Sequence, residues 1–231
     1  MSIELFVLCE GKTEVEFIRH VIKPELARYK INCYGKSAPT SRTASGGALT
    51  WDRCQDYLKD VITENDARFV TTLIDLYGLH KTMPGYDQAQ KIPDVYKRLE
   101  FLEKAFEHEV LEKAKCRKGH FIPHIQPYEF EALLFSDIEK ITGKDFGWST
   151  SRVKLQLDEI MRECEGHPEL INNSWETRPS KRLKSVLQGY DKVIHGFIIA
   201  KSITLPTIES KCPHFQAWMN RLRALSKQEP Q

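Results

Sequence analysis

The chain of 231 residues carries 34 Lys and Arg against 32 Asp and Glu, a formal net charge of +2, with 41% hydrophobic and 29% charged residues. These proportions are ordinary for a globular protein and exclude a histone-like polycation, while leaving room for a local basic face. A chain of this length can bury roughly 70% of its extended-state surface, so a core without disulfides is expected.

The six cysteines are scattered, with no Cys-x-x-Cys pair. No apolar run approaches the ~18 residues of a membrane span, and MSIELFVLCEGKTE lacks a cationic leader. The expectation is a cytoplasmic protein with free thiols and no membrane association.

Taken in chain order, Ile3 to Cys9 is apolar apart from Glu4 and predicts a buried strand. Glu10-Gly-Lys-Thr-Glu14 follows, then Val15, Phe17, Ile18, Val21 and Ile22 at helical spacing, with Thr13 as cap and Pro24 as end or bend. Ile31 to Tyr34 predicts a short strand, and the Ser/Thr/Gly-rich stretch from Ser37 to Thr50, with Arg42 inside it, predicts a loop. Trp51 to Asn65 predicts a helix with Trp51, Cys54, Leu58, Val61 and Ile62 inward. Phe69 to Ile74 predicts a further buried strand that stops at Asp75.

Tyr77 to Pro93 reads as a long irregular loop, and Asp94 caps a long helix from Val95 to about Lys115. Phe121 to Gln126 predicts a strand and Glu129 to Phe135 a helix. From about Ser136 the pattern is mostly helical, and within it His195 reads as a buried neutral histidine. Alternation of strand and helix predicts an α/β domain over residues 1–140, with a mainly parallel sheet flanked by helices. A helical C-terminal region, 141–231, is expected to pack on it.

In such sheets function gathers beyond the carboxyl ends of the strands. Three strand ends carry acids here: Glu10 with Glu14 one turn later, Asp75, and Glu129 with Glu131. Carboxylates brought to one edge raise one another's pKa unless a cation intervenes, and an all-oxygen donor set suits Mg²⁺ or Mn²⁺. Such a site fits metal-assisted attack on a phosphodiester. Taken one at a time, each acid is equally compatible with a helix cap or a solvated first turn.

Several separated motifs, CEGKTE, LIDLYGL, MPG and PYEFEALLF, resemble the Toprim fold of topoisomerases, primases and OLD-family nucleases. The pattern is most similar to a Toprim-like family encoded beside ATPases in bacterial defence loci, over the first 140 residues. The resemblance implies Glu10 as general base or metal ligand, Glu14 as the second acid of the OLD-type pattern, and Asp75 as the first acid of an Asp-x-Asp pair. It also implies a separately encoded ATPase partner. The second acid should stand at position 77, where the chain has Tyr77. A phenol is no substitute for a carboxylate at neutral pH, so Glu129 or Glu131 must complete the site, or it holds one ion or none.

From Arg178 to Lys201 six cations stand against Asp191 alone. Arg178, Lys181, Arg182 and Lys184, together with Lys12 and Arg42, are the expected nucleic-acid contacts, and the OLD-type resemblance implies Lys181, or Arg182, as the catalytic cation beside Glu10 and Asp75. A solvated helix face explains any single one of these lysines equally well.

Cys116, His120 and His124 fall four apart, with Cys212 and His214 further on, but Pro123 lies in a strand-like stretch, so Cys116, His120 and His124 do not converge and zinc is not expected. Gly11-Lys12-Thr13 lacks the rest of a phosphate-binding loop. The sequence therefore predicts a Mg²⁺- or Mn²⁺-dependent nuclease acting on DNA or RNA. The alternative is a degenerate Toprim module that binds nucleic acid or a protein without cutting. Homo-oligomerisation is compatible with both.

Overall fold

The computed structural model describes residues 2–37, 49–143, 146–172 and 174–227. Strand β1 (Ile3–Cys9) leads into α1 (Lys12–Phe17), a π-helical turn (Ile18–Ile22) and α2 (Lys23–Ala27). Pro24 does not end the helix there. It sits in the first turn of α2, where its missing N–H costs nothing. The residue at the N-cap of α1 is Gly11, not Thr13, and its amide donates to Glu14 Oε2 at 2.8 Å.

Strand β2 (Ile31–Ser37) runs three residues beyond the expected Tyr34. Then come α3 (Trp51–Glu64), β3 (Phe69–Asp75), a short α4 (Tyr86–Ala89) inside the expected loop, and the long α5 (Val95–Ala114). Asp94 caps α5 by accepting from the Lys97 amide, as its type and position predicted.

The expected strand from Phe121 to Gln126 is two short pieces, β4 (Phe121–Ile122) and β5 (Ile125–Gln126), both paired with β3. Pro123 has no N–H to give the ladder, so pairing breaks there. The Thr72 hydroxyl bridges the gap, donating to the His124 carbonyl and accepting its amide, each at 2.8 Å. The expected helix at Glu129–Phe135 is a 3₁₀ segment, Phe130–Ser136, all seven residues of which are buried.

The remaining elements are α6 (Ile138–Ile141), α7 (Ser151–Glu163), α8 (Pro179–Val186), α9 (Lys192–Ile203), α10 (Leu205–Lys211) and α11 (Pro213–Ala224).

The sheet order is β2-β1-β3-β4, with β5 also on β3, and every pairing is parallel. Along β1 the side chains alternate between two apolar layers, as a strand period of two requires. Phe6 and Leu8 pack with α3 and α5, including Leu58, Leu99 and Phe106. Leu5, Val7 and Cys9 pack with the α1–α2 segment and with Leu183, Ile199, Phe215 and Met219 of the C-terminal helices. The molecule is thus an α/β fold with a mainly parallel sheet between helical layers, and its mostly helical last third covers one face.

No helix among the described residues is long and apolar enough to cross a membrane. All six cysteines are free, and five are buried.

Candidate active site

β1 and β3 are neighbours in the sheet, so Glu10, just past β1, lies beside Asp75, the last residue of β3. The Asp75 amide donates to Glu10 Oε2 at 3.0 Å. The Phe130 amide donates to Asp75 Oδ1 at 2.8 Å, which ties the 3₁₀ segment, and with it Glu131, to the same strand end. Tyr128, immediately before this segment, has φ +57. Its carbonyl accepts the Tyr77 amide at 3.0 Å, so a left-handed residue helps join the two loops that follow β3 and β5. The Glu10 carboxylate lies where a side chain at Gly78 would start: a Cβ there would stand 2.1 Å from Glu10 Oε2.

Asp75, Glu14 and Glu131 are 5%, 2% and 1% exposed. Burial, followed by the charge of Glu14, pushes Glu10 up to about 7. Burial likewise pushes Glu131 up to about 7, against the opposing pull of Lys192. Glu14 is raised by burial and relieved by Lys192 and by the Gly11 amide. Asp75 is held well above the usual carboxylate range by burial and then by the charges of Glu10, Glu14 and Glu131. Acids from three strand ends therefore act on one another at a single place, and Glu131 Oε1 and the Tyr190 hydroxyl beside them are buried with no partner.

The cation that answers these acids is Lys192, the first residue of α9. Desolvation lowers its pKa, but the charges of Glu131, Glu14, Asp75 and Glu10 outweigh that and raise it. Gly196 makes the approach of α9 to α1 feasible, since a Cβ there would lie 2.9 Å from Thr13 Cγ2. Composition and motif spacing did not single out Lys192. The available signal was its position: a cation on the first turn of a helix opposes the helix dipole and calls for an acidic neighbour.

Glu129 lies at the rim rather than inside. Its Oε1 is 2.9 Å from Arg178 Nε and accepts from Ser180 Oγ at 3.0 Å, and its Oε2 accepts the Ser180 amide at 2.8 Å. Arg178 also stacks over exposed Trp175, at 3.6 Å from the ring centroid. Arg182 is held by Glu163 and by the Thr177 carbonyl, each at 2.6 Å. Lys181 Nζ is 3.7 Å from Glu176, both side chains lying at the surface. Lys12, Lys181 and Lys184 are exposed. Arg42 lies outside the described residues.

Tyr77, where the second acid of the pair was expected, donates from its hydroxyl to Asn172 Oδ1. Its ring packs against Tyr128 and Trp175, at 5.5 and 5.4 Å. His195, expected to be buried, is partly exposed, and its Nδ1 accepts the Asp191 amide at 2.9 Å.

No curated protein matches the chain in sequence. In structure it is similar to the C-terminal region of the Xanthomonas campestris pv. campestris OLD protein, with a TM-score of 0.46 at 15% identity, over 98% of this chain and 97% of that one. A family model described as a domain of unknown function, DUF4276, matches residues 9–223, nearly the whole length, and the chain belongs to that family.

Proposed function

We propose that the protein is a Toprim-like, divalent-metal-dependent phosphodiesterase acting on nucleic acid. The observation that carries this reading is the meeting of Glu10, Glu14, Asp75 and Glu131 at the carboxyl edge of the parallel sheet, beside Lys192. The donors are all oxygen, two polar atoms there lack partners, and the raised carboxyls are those a cation would relieve, so the chemistry suits Mg²⁺ or Mn²⁺ held by one or two carboxylates, Glu10 and Asp75, with water and phosphate oxygens completing its shell. When bound, the ion would lower the pKa of a water and shield charge on the phosphate.

Glu10, titrating near 7, is suited to accept a proton from an attacking water at neutral pH. Asp75 is oriented by the Phe130 amide and Glu10 by the Asp75 amide, so neither needs to reorganise. Lys192 supplies the fixed positive charge that the sequence had assigned to Lys181. Exposed Lys12, Lys181 and Lys184 are available for neighbouring phosphates, and Trp175 with Arg178 offers a face on which a base can stack.

The motif resemblance supports a cytoplasmic defence setting with a separately encoded ATPase. The test is nicking of plasmid DNA and cleavage of RNA with each metal, with and without that ATPase. Cleavage that requires metal and falls at least about 100-fold in Asp75→Asn supports the reading. Cleavage that Asp75→Asn leaves intact overturns it.

A second reading, a binding module without catalysis, is favoured by Tyr77, whose hydroxyl is bonded to Asn172 where a metal ligand was expected. Crystals soaked in millimolar Mn²⁺ that show no ion between Glu10 and Asp75 would favour it.

A further inference from the structure

We propose that Glu103, His124 and His214 form a second cation site, for a borderline divalent transition metal such as Zn²⁺, separate from the acids at the strand ends. The three come from the middle of α5, the break between β4 and β5, and the first turn of α11. One ligand atom from each lies within 4.8 Å of the others. Glu103 Oε1 is 2.9 Å from His214 Nε2 and 3.9 Å from His124 Nδ1. Two bonds of about 2.0–2.1 Å meeting at the tetrahedral angle place their ligand atoms about 3.3 Å apart, between those two distances.

The chemistry of the donors selects the ion. Two imidazoles and one carboxylate suit Zn²⁺ and leave a fourth position for water, whereas Mg²⁺ prefers oxygen alone. A hydrogen bond accounts for the shorter contact but not for the longer one, which is beyond hydrogen-bond reach. The His124 side chain is 1% exposed, while those of His214 and Glu103 are 15% and 13% exposed, so His124 lies deepest and the other two reach toward the surface.

The surroundings orient all three ligands. His124 Nε2 faces Gln126 Oε1 at 3.3 Å, and with the proton on Nε2 the bare Nδ1 is the nitrogen turned toward Glu103. The His124 ring is stacked on Trp218 and on His214, at 4.5 and 5.0 Å. Trp218 is itself fixed by its Nε1 donating to Thr71 Oγ1 at 2.8 Å. Glu103 Oε1 accepts the Ile125 amide at 2.8 Å. The carboxylate of Glu169 accepts the His214 and Phe215 amides at 3.0 and 2.9 Å, which sets the start of α11.

Cys116 and His120, the residues whose spacing first suggested zinc, take no part, and His120 stacks instead on Phe69 at 4.3 Å. Convergence is tertiary: α5 reaches the sheet edge from one helical layer and α11 from the other. An ion held there would clip the two layers together.

Chelator-treated full-length protein, titrated with Zn²⁺ against a chromophoric indicator, is expected to bind one tight equivalent that excess Mg²⁺ does not displace. His214→Gln and Glu103→Gln should each weaken it at least about 100-fold while Asp75→Asn retains it, which separates this site from the carboxylates of the proposed nuclease. Co²⁺ added to the wild type should give the intense visible bands of a four-coordinate site, a readout that needs no variant to fold. Zn²⁺ binding no tighter in wild type than in folded His214→Gln, loss of the tight equivalent in Asp75→Asn, or only the weak bands of six-coordinate Co²⁺ would overturn the proposal.

Discussion

Lys192 holds a position that helix energetics disfavour, on the first turn of α9, where the exposed backbone amides already carry partial positive charge. It is tolerated because four carboxylates act on it. Replacing it with methionine leaves those acids without their counter-charge, so Lys192→Met should unfold at lower temperature than wild type in chelator, by about 2–4 °C for each kcal/mol lost. Saturating Mn²⁺ should restore much of the difference in a thermal melt, since a cation then replaces the ammonium.

Gly78 is a second single-residue lever. Gly78→Ala drives a methyl into the Glu10 carboxylate and displaces it from the Asp75 amide, so the variant should fold but weaken Mn²⁺ binding measured by calorimetry. Tyr77→Asp tests the missing acid directly. The ring at position 77 faces Asn172, Tyr128 and Trp175, so cleavage is expected not to rise in the variant.

Among the elements, the strands β1 and β3 and the helices α3 and α5 were legible because their signals are local: apolar runs, a heptad-like stripe, and an Asp at the cap. The acids at positions 10, 14, 75 and 131 were legible for the same reason, each being attached to such a run. What was not legible depends on contacts far apart in the chain. The 3₁₀ form of Phe130–Ser136 follows from burial on all sides and from the Asp75 carboxylate taking the Phe130 amide. Lys192 reaches the acids only because Gly196 lets α9 lie on α1. Gly196→Val should push the two helices apart, at a cost of about 1–3 kcal/mol, and bring the variant's metal dependence of stability close to that of Lys192→Met.

Over the whole molecule, the acid cluster makes stability depend on pH in an unusual direction. An unfolded glutamate titrates near 4.3, whereas Glu10 and Glu131 titrate near 7 when folded. The folded state therefore keeps more protons between about 4.5 and 7. Stability from this source is greatest at the acid end of that window and is lost as pH rises through 7. For a buried group such as Glu131 the change is at most about 4 kcal/mol. Thermal unfolding in chelator from pH 5 to 8 should show a falling midpoint, with a shallower fall in Mn²⁺ or in Glu131→Gln.

The chain order of the site carries a consequence for synthesis. All four acids of the strand-end cluster have been synthesised by Glu131, but Lys192 and the helices that cover that face of the sheet emerge only later. Until they dock, the nascent α/β half holds like charges together with one apolar face bare. Folding of that half before the last third arrives should depend on a divalent ion or on a chaperone, and truncation after residue 140 should yield protein that aggregates at neutral pH.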